Sequence, residues 1–440
     1  MKDTFSDFKM LLLIGIIVSV ITFEITIIRI YSFINPASQL TFISSLFTVG
    51  TVICCFGHAY ITLRLRTIGN KFGNVKLGSK NILAYVIVLQ ILIIILLIVL
   101  LYQILILLSY NLILISSIFL ISYLFGIINL IFISWKFTKW TMTRPNYVLV
   151  VNTLTVYTVM VNVIFALLLV VDGLPYQPFS IPWDMGPVHY SYKSIFQLPY
   201  QISSVIAFVG IWISITVLMK NYSSRIGKKK FWIFISIPMI YFLAQFQPYL
   251  LNFIITHTQS EATTVAVVYT SLFGASKTIG AILFGYAFWN TSREIYQSEV
   301  RRFMRMAAYG LTLLFISNQA TSILNYLFPP SGILAVCFLG IASFMFLVGL
   351  FSSTLSVAND LQLRQSVRKS VKKEFTLVSN LADAEMEDKV KGKIIRATKR
   401  LSNELVNETG IESTLSDSEI LEYTIKAIKE VKSTRHASNN

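Results

Sequence analysis

The chain has 440 residues, of which 55% are hydrophobic and 13% charged, with a mean hydropathy of +0.68 and a formal net charge of +16 at pH 7. A soluble domain has about twice this charged fraction, so a soluble globular protein is excluded. The apolar residues form blocks of about twenty or more, long enough to cross roughly 30 Å of hydrocarbon as helices, and not the short alternating segments of a β-barrel. We predict an all-α integral membrane protein, with a bundle of about ten transmembrane helices and a short helical cytoplasmic tail.

Ten apolar blocks are predicted to span the membrane. They are Met10–Ile30, Leu40–Leu63, Ile82–Leu108, Leu112–Trp135, Tyr147–Val171, Phe196–Met219, Phe231–Ile255, Thr264–Trp289, Met306–Phe328 and Ile333–Leu355. The first block is too long for a signal peptide and is expected to stay as a membrane helix. Residues 1–356 then form the transmembrane domain, 357–432 the helical tail and 433–440 a disordered end.

The third and fourth blocks nearly merge, because no charged residue occurs between Ile82 and Trp135. As one helix this stretch would be about 80 Å long, far more than one crossing requires. A tight turn is therefore predicted at Ser109–Asn111.

Basic residues alternate between the loops. Four loops carry nearly all of them: Arg64, Arg66, Lys71, Lys76 and Lys80; Lys136, Lys139 and Arg144; Lys220, Arg225, Lys228, Lys229 and Lys230; Arg293, Arg301, Arg302 and Arg305. The positive-inside rule puts these loops and both termini in the cytoplasm of a cell-membrane protein. This distribution indicates contact with anionic membrane lipids and no nucleic-acid partner.

Ionisable residues inside the spans are costly and need an explanation. Arg29 and His58 lie near span ends, where we expect water or headgroups to reach them. Glu24 and Lys277 lie deeper, and their side chains lean toward a common depth, so an ion pair or a water-bridged pair is feasible if spans one and eight are neighbours. A stripe of small residues favours close packing of span eight. Its members are Gly274, Thr278, Ala281 and Gly285.

These residues define a candidate intramembrane polar site. Its members are Lys277, Glu24, Gln245, Asn252, Asn318, Gln319 and Asn325. Three interpretations stay open. The first is structural, with Lys277 in a charge pair or bonded to carbonyls and hydroxyls; the second is a polar cavity for an ion, proton or small ligand; the third is a Schiff-base lysine with Glu24 as counter-ion. The neutral polar residues fit either helix packing or the lining of a permeation path.

The outer loop Asp172–Lys193 is rich in proline and aromatic residues, which predicts a stiff, non-helical segment. Its candidate ligand contacts are Trp183, Asp184, His189 and Tyr190. The alternative is an aromatic belt resting on the headgroups.

No sequence feature predicts an enzyme, a cofactor or a metal site. Cys54, Cys55 and Cys337 lie in apolar blocks and are interpreted as small hydrophobic residues. The tail contains no phosphate-binding loop, no G-x-G-x-x-G motif and no histidine-kinase motif.

The tail has apolar residues at intervals of three to five, typical of one amphipathic helix or of two helices with a break near Asn380–Ala384. Gly410 is predicted to end this helical region, and Ser416 with Glu419 to cap a further helix. We expect the tail to dock on its own membrane domain, to form a homo-oligomer, or to bind a cytoplasmic protein.

Three tail stretches carry a resemblance: SSTLSVANDLQLRQSVRKS, AEMEDKVKGKIIRATKRL and TGIESTLSDSEILEYTIKAIKEVK. They resemble the cytoplasmic end of an uncharacterised family of multi-pass membrane proteins from ammonia-oxidising archaea. The stalk after the last span is also similar to the join between multi-span sensors and histidine kinases, with the kinase missing. The resemblance covers mainly the tail and implies no activity.

Two functions follow as expectations. The first is a sensor or scaffold for signal transduction, in which the membrane bundle and the outer loop act on the cytoplasmic tail. The alternative is a secondary transporter or channel that uses the polar site around Lys277 and Glu24.

Overall fold

The structure is a computed structural model, which describes part of the chain. The described residues are 2–31, 40–71, 80–176, 180–182, 194–220, 227–244, 278–286, 288–289, 292, 298–317, 330, 332–359, 376–409 and 419. Helices make up nearly all of this part. They are α1 (Lys2–Tyr31), α2 (Leu40–Lys71), α3 (Lys80–Tyr102), α4 (Leu112–Thr143), α5 (Tyr147–Gly173), α6 (Gln197–Met219), α7 (Lys228–Ala244), α8 (Ser298–Ser317), α9 (Ile333–Val336), α10 (Leu339–Asn359) and α11 (Thr376–Thr409).

Six helical stretches are long and apolar enough to cross a membrane, counted over the described residues. They are Ser44–Ile68, Ile82–Leu107, Leu112–Thr143, Tyr147–Gly173, Gln197–Met219 and Ile333–Asn359. This confirms the predicted all-α membrane class. The count of ten spans stays a prediction.

The link between α3 and α4 is extended. A single π-helical turn, Gln103–Leu107, follows α3, and Leu108 then adopts a left-handed conformation with φ of 49°. Strand β1 (Ser109–Asn111) comes next, and the Asn111 side chain caps α4 by accepting a hydrogen bond from the Ile113 amide at 2.8 Å. The chain therefore reverses where predicted, but through a strand.

Strand β1 pairs with a strand in the outer loop. β2 (Ser180–Pro182) runs antiparallel to β1, with Tyr110 opposite Ile181. The loop also contains a 3-10 turn at Leu174–Tyr176. The prediction of a non-helical loop is therefore wrong at Leu174–Tyr176. β2 is non-helical as predicted, and β1 supplies the hydrogen-bonding partners that this three-residue strand needs. We call this end of the bundle the sheet end.

Polar side chains join α5 to α6 through the apolar region. Asn152 Oδ1 accepts a hydrogen bond from Ser214 Oγ at 2.8 Å, and Thr155 Oγ1 donates to the Gly210 carbonyl at 2.9 Å. Such bonds hold helices together in lipid, where the hydrophobic effect does not.

The backbones of α8 and α10 touch at two glycines. A Cβ on Gly310 would lie 2.5 Å from the Phe346 amide nitrogen, and one on Gly349 would lie 2.5 Å from the Ala307 amide nitrogen. Glycine is required at both positions because any side chain would overlap the facing backbone. This contact forms the centre of the bundle, where nearly all of α10 is buried.

The described tail residues 376–409 form one continuous helix, α11. The alternative of two helices with a break near Asn380–Ala384 is therefore wrong. Leu381, Ala382 and Ala384 are good helix formers, and all three are buried in its first turns. These turns pack on α4, α5 and α10. The described helix extends to Thr409, and Gly410, which was predicted to end it, lies outside the described residues. We call this end of the bundle the tail end, and docking of the tail on its own membrane domain is confirmed.

Candidate functional site

Most of the predicted site residues lie outside the described residues. These are Lys277, Gln245, Asn252, Asn318, Gln319 and Asn325 of the intramembrane site, and Trp183, Asp184, His189 and Tyr190 of the outer loop. Their assignments stay predictions. Glu24 is the one member of either set that the structure describes.

Glu24 lies on α1 and is buried, with 5% of its surface exposed. Its Oε1 accepts a hydrogen bond from the Gly332 amide at 2.9 Å, and the Leu334 amide also faces the carboxyl group. Oε2 is buried without a hydrogen-bond partner of normal geometry in the described part of the chain. Glu24 therefore caps the backbone that leads into α9.

Gly332 makes this contact through an unusual backbone conformation. Its φ of 77° lies in the left-handed region, which glycine adopts without strain. Helix α9 starts at the next residue and has four residues, and Cys337 and Phe338 then separate it from α10. The segment 332–338 is thus an interrupted helix inside the bundle.

Spans one and eight are neighbours. Thr22 Oγ1 on α1 shares a short hydrogen bond with Thr278 Oγ1, the first described residue of the helical stretch 278–286. The small residues predicted to pack on this stretch do so: Ala281 is buried, and a Cβ on Gly285 would overlap the Thr312 hydroxyl of α8. α1 and the stretch 278–286 are therefore adjacent, as a Glu24–Lys277 pair requires, and the pair itself stays a prediction.

A second polar group lies in the same region and was missed in the sequence. His58 is fully buried, and its Nδ1–H donates to Gln90 Oε1 at 2.7 Å, since an amide oxygen only accepts. Its Nε2 lies 3.2 Å from Cys337 Sγ, and its ring stacks on Phe338 with centroids 4.0 Å apart. The expectation that His58 meets water or headgroups is wrong, because Gln90, Cys337 and Phe338 enclose it.

His58 and Gln90 lie near the middle of α2 and α3, within their apolar parts. His58 contacts the interrupted segment 332–338, as Glu24 does, and Gln90 is joined to it through His58. We call Glu24, His58, Gln90 and Cys337 the buried polar cluster. Gln90 could have indicated this buried polar contact in the sequence, since it is one of few strongly polar residues between Ile82 and Leu108.

A different charged site lies at the tail end, where α11 crosses α4. Asp383 pairs with Arg144, Asp388 lies 2.8 Å from Lys139 Nζ, and Glu385 lies 3.7 Å from Lys136 Nζ. Trp140 Nε1–H also donates to Glu385 Oε2 at 2.9 Å. We call these seven residues the tail latch.

The tail latch joins buried acids to more exposed bases. The side chains of Asp383 and Glu385 are each 6% exposed, whereas Lys139 and Arg144 are 43% and 42% exposed. A buried acid without a partner is strongly destabilising, so the geometry requires α4 and α11 to stay in register. Lys389 Nζ extends the docking by donating to Asn359 Oδ1 of α10 at 2.8 Å.

Within the described residues, no group of three or more His, Cys, Asp and Glu side chains could hold a metal ion. Comparison of the chain with family models, curated proteins and solved structures finds no match.

Proposed function

We propose that this chain is a membrane sensor or scaffold in which α4 couples the outer loop to the tail helix. The observation that carries the proposal is the position of α4, a single helix of 32 residues. It begins directly after β1, which pairs with the outer loop, and carries Lys136 and Lys139 of the tail latch near its other end, where Arg144 follows it directly. At 1.5 Å per residue it is about 48 Å long, enough to join the two faces of a membrane.

On this proposal the sheet end is extracellular and the tail end is cytoplasmic. Lys136, Lys139 and Arg144 at the tail end support that orientation, because basic residues are retained on the cytoplasmic side. The full chain then crosses the cell membrane ten times, with both termini inside. The output is an interaction of the tail, 357–432, with a cytoplasmic protein or a second copy, and no catalysis.

The coupling has a simple physical basis. A helix resists bending, so a displacement of β1 moves the whole of α4 along or around its axis. Asp383 and Glu385 are buried, and a shift of their bases by even part of a helical turn leaves them poorly paired. A ligand at the outer loop that favours one position of β1 would therefore shift the docking equilibrium of α11.

Substitution of Ile181 by aspartate tests this coupling. Ile181 is 1% exposed and faces Tyr110 across the β1–β2 pair, so a charge there should separate the strands. We expect amide hydrogen exchange over 377–388 of α11 to become at least tenfold faster, although these residues lie at the opposite end of α4. The measurement is exchange mass spectrometry on the full chain in nanodiscs.

The matched control is Ile195→Asp, in the same region of the chain but at a side chain that is 80% exposed. This variant should leave the exchange of 377–388 unchanged. Coupling through α4 is refuted if Ile181→Asp opens the β1–β2 pair and the tail exchanges as in the native protein.

The buried polar cluster supports a second candidate, a secondary transporter or channel. Its specific observation is a buried carboxyl group, Glu24, bonded to backbone where a helix is interrupted. Transporters place ion and substrate sites at such interruptions, where free backbone groups and a charged side chain meet. Lys277 would lie in the same site if it pairs with Glu24.

Glu24→Gln separates this candidate from the first. The amide oxygen can still accept from Gly332, so folding should be retained while the ionisable group is lost. If the protein transports, proton or cation flux into proteoliposomes should fall at least tenfold in Glu24→Gln and stay native in Glu299→Gln, which changes an exposed acid on α8. Absence of flux in the native protein, or equal flux in Glu24→Gln, removes the transporter.

A further inference from the structure

We propose that anionic phospholipid headgroups bind Lys139 and Arg144 in competition with the tail helix, so that the charge of the adjacent leaflet sets how much of α11 is docked. The inference rests on the proposed function, because it names the ligand that regulates the tail latch. It concerns the tail end alone and does not involve the β1–β2 pair.

The level of the headgroups along α4 is marked by tryptophan. Trp135 is 57% exposed, and the Lys136 ammonium lies 5.5 Å from the centre of its ring. Exposed tryptophan beside lysine is typical of the membrane–water interface. Lys139 lies four residues beyond Trp135, about 6 Å along the helix axis, and Arg144 lies five residues beyond Lys139, directly after the helix. Lys139 is thus level with the phosphates, and Arg144 lies at their outer edge.

Both cations have capacity for a second anion. The guanidinium of Arg144 has five N–H donors and the ammonium of Lys139 has three, and each side chain is about two-fifths exposed while it binds one carboxylate of α11. Arginine binds phosphate in a bidentate manner, and lysine binds it as a point charge. A lipid phosphodiester is therefore a chemically suitable ligand for this pair.

Headgroup binding and tail docking oppose each other. The docked part of α11 is acidic, with Asp383, Glu385 and Asp388 in the latch and Glu387 beside them, so an anionic leaflet repels it. The same leaflet attracts the juxtamembrane cations, and each cation increases the binding constant for the anionic surface by about fivefold. An exposed pair such as Lys139–Asp388 contributes no more than that, so leaflet charge is strong enough to shift the balance.

The burial of Leu377 and Leu381 stabilises the docked state and so opposes release of the tail by anionic lipid. In a neutral leaflet this burial and the ion pairs act together and the tail stays docked. In an anionic leaflet the cations exchange carboxylates for phosphates, the released acids become hydrated, and the undocked population grows.

The test measures one distance in the full-length protein. Nitroxide labels are attached at Met142→Cys on α4 and Leu401→Cys on α11, two exposed positions, in a background in which Cys54, Cys55 and Cys337 are replaced by alanine. Double electron–electron resonance is recorded in nanodiscs of phosphatidylcholine with increasing phosphatidylglycerol. We expect a second distance, which belongs to the undocked tail. The ratio of the undocked to the docked population should rise at least fivefold when about one-third of the lipid is anionic.

Two arms identify the source of the phosphate and the role of the latch. Inorganic phosphate and sodium chloride are added separately to neutral nanodiscs, at an ionic strength that is equal for the two salts. Both should leave the docked population nearly unchanged. Asp388→Asn should increase the undocked ratio at each lipid composition, and Glu404→Gln, on the exposed part of α11, should not.

A distance distribution that is the same at every lipid composition overturns the inference, as does an equal response to free phosphate. These outcomes are independent of the coupling experiment. If lipid charge releases the tail but Ile181→Asp has no effect on it, the lipid inference stands and coupling from the outer loop fails.

Discussion

Substitution of Leu381 by aspartate is expected to release α11 from the membrane domain. Leu381 is fully buried between α11 and the bundle, and burial of such a side chain contributes about 1.5–3 kcal/mol. The substitution also adds a carboxylate beside Asp383 and Glu385, where the available bases are already paired. The loss of apolar burial and the repulsion act in the same direction, so hydrogen exchange over 377–388 should approach the rate of an undocked helix.

Leu401→Asp is the matched control, since it makes the same change on the same helix at a side chain that is 59% exposed. It should leave the exchange of 377–388 as in the native protein. Equal protection of 377–388 in both variants would contradict the docking of α11 through this face.

Substitution of Gly310 by alanine is expected to destabilise the transmembrane bundle itself. The added Cβ would lie 2.5 Å from the Phe346 nitrogen and 2.8 Å from the Ala342 carbonyl oxygen. These are backbone atoms of α10, so no side-chain rotation can relieve the overlap and the helices must separate. We expect a cost of about 2–3 kcal/mol or more, measured as reduced resistance to unfolding by sodium dodecyl sulfate in mixed micelles.

Gly15→Ala controls for the change of glycine to alanine within a helix. Gly15 lies in α1, and a Cβ there meets no atom within 4 Å. This variant should unfold as the native protein does, or slightly later, because alanine is the better helix former. If Gly310→Ala is equally tolerated, α8 and α10 do not make the close contact described.

The helices themselves could be predicted from the sequence. The starts of α4 and α5 fall at Leu112 and Tyr147, as predicted. Apolar blocks are decisive because only a helix satisfies its own backbone in lipid, so block length determines the element. The amphipathic tail was predicted for a similar reason, since its periodicity is a local property.

The contacts between elements could not be predicted in the same way. Strands β1 and β2 have three residues each, too few to show alternation, and their pairing joins distant parts of the chain. The contacts among His58, Gln90 and Cys337 depend on which helices are neighbours, which apolar blocks of similar composition do not encode. The acids of the tail were visible in the sequence, but the bases that pair with them were not identifiable.

The intramembrane site was predicted in part. The adjacency of α1 and the stretch 278–286, which a Glu24–Lys277 pair requires and the sequence left open, is shown by the Thr22–Thr278 hydrogen bond. The partner found for Glu24 is the backbone at Gly332, which the sequence did not indicate. Nearly every residue has a backbone amide, so the sequence does not distinguish the amide that binds Glu24.

Coupling between the two ends of α4 is most directly tested in the reverse direction, because thermodynamic coupling is reciprocal. Hydrogen exchange at the Tyr110 and Ile181 amides should be measured in Leu381→Asp and Leu401→Asp. Coupling through α4 predicts that these two amides exchange faster in Leu381→Asp, where the released tail no longer fixes α4, and at the native rate in Leu401→Asp. Identical exchange of the β1–β2 pair in both proteins, with the tail released in the first, would contradict it.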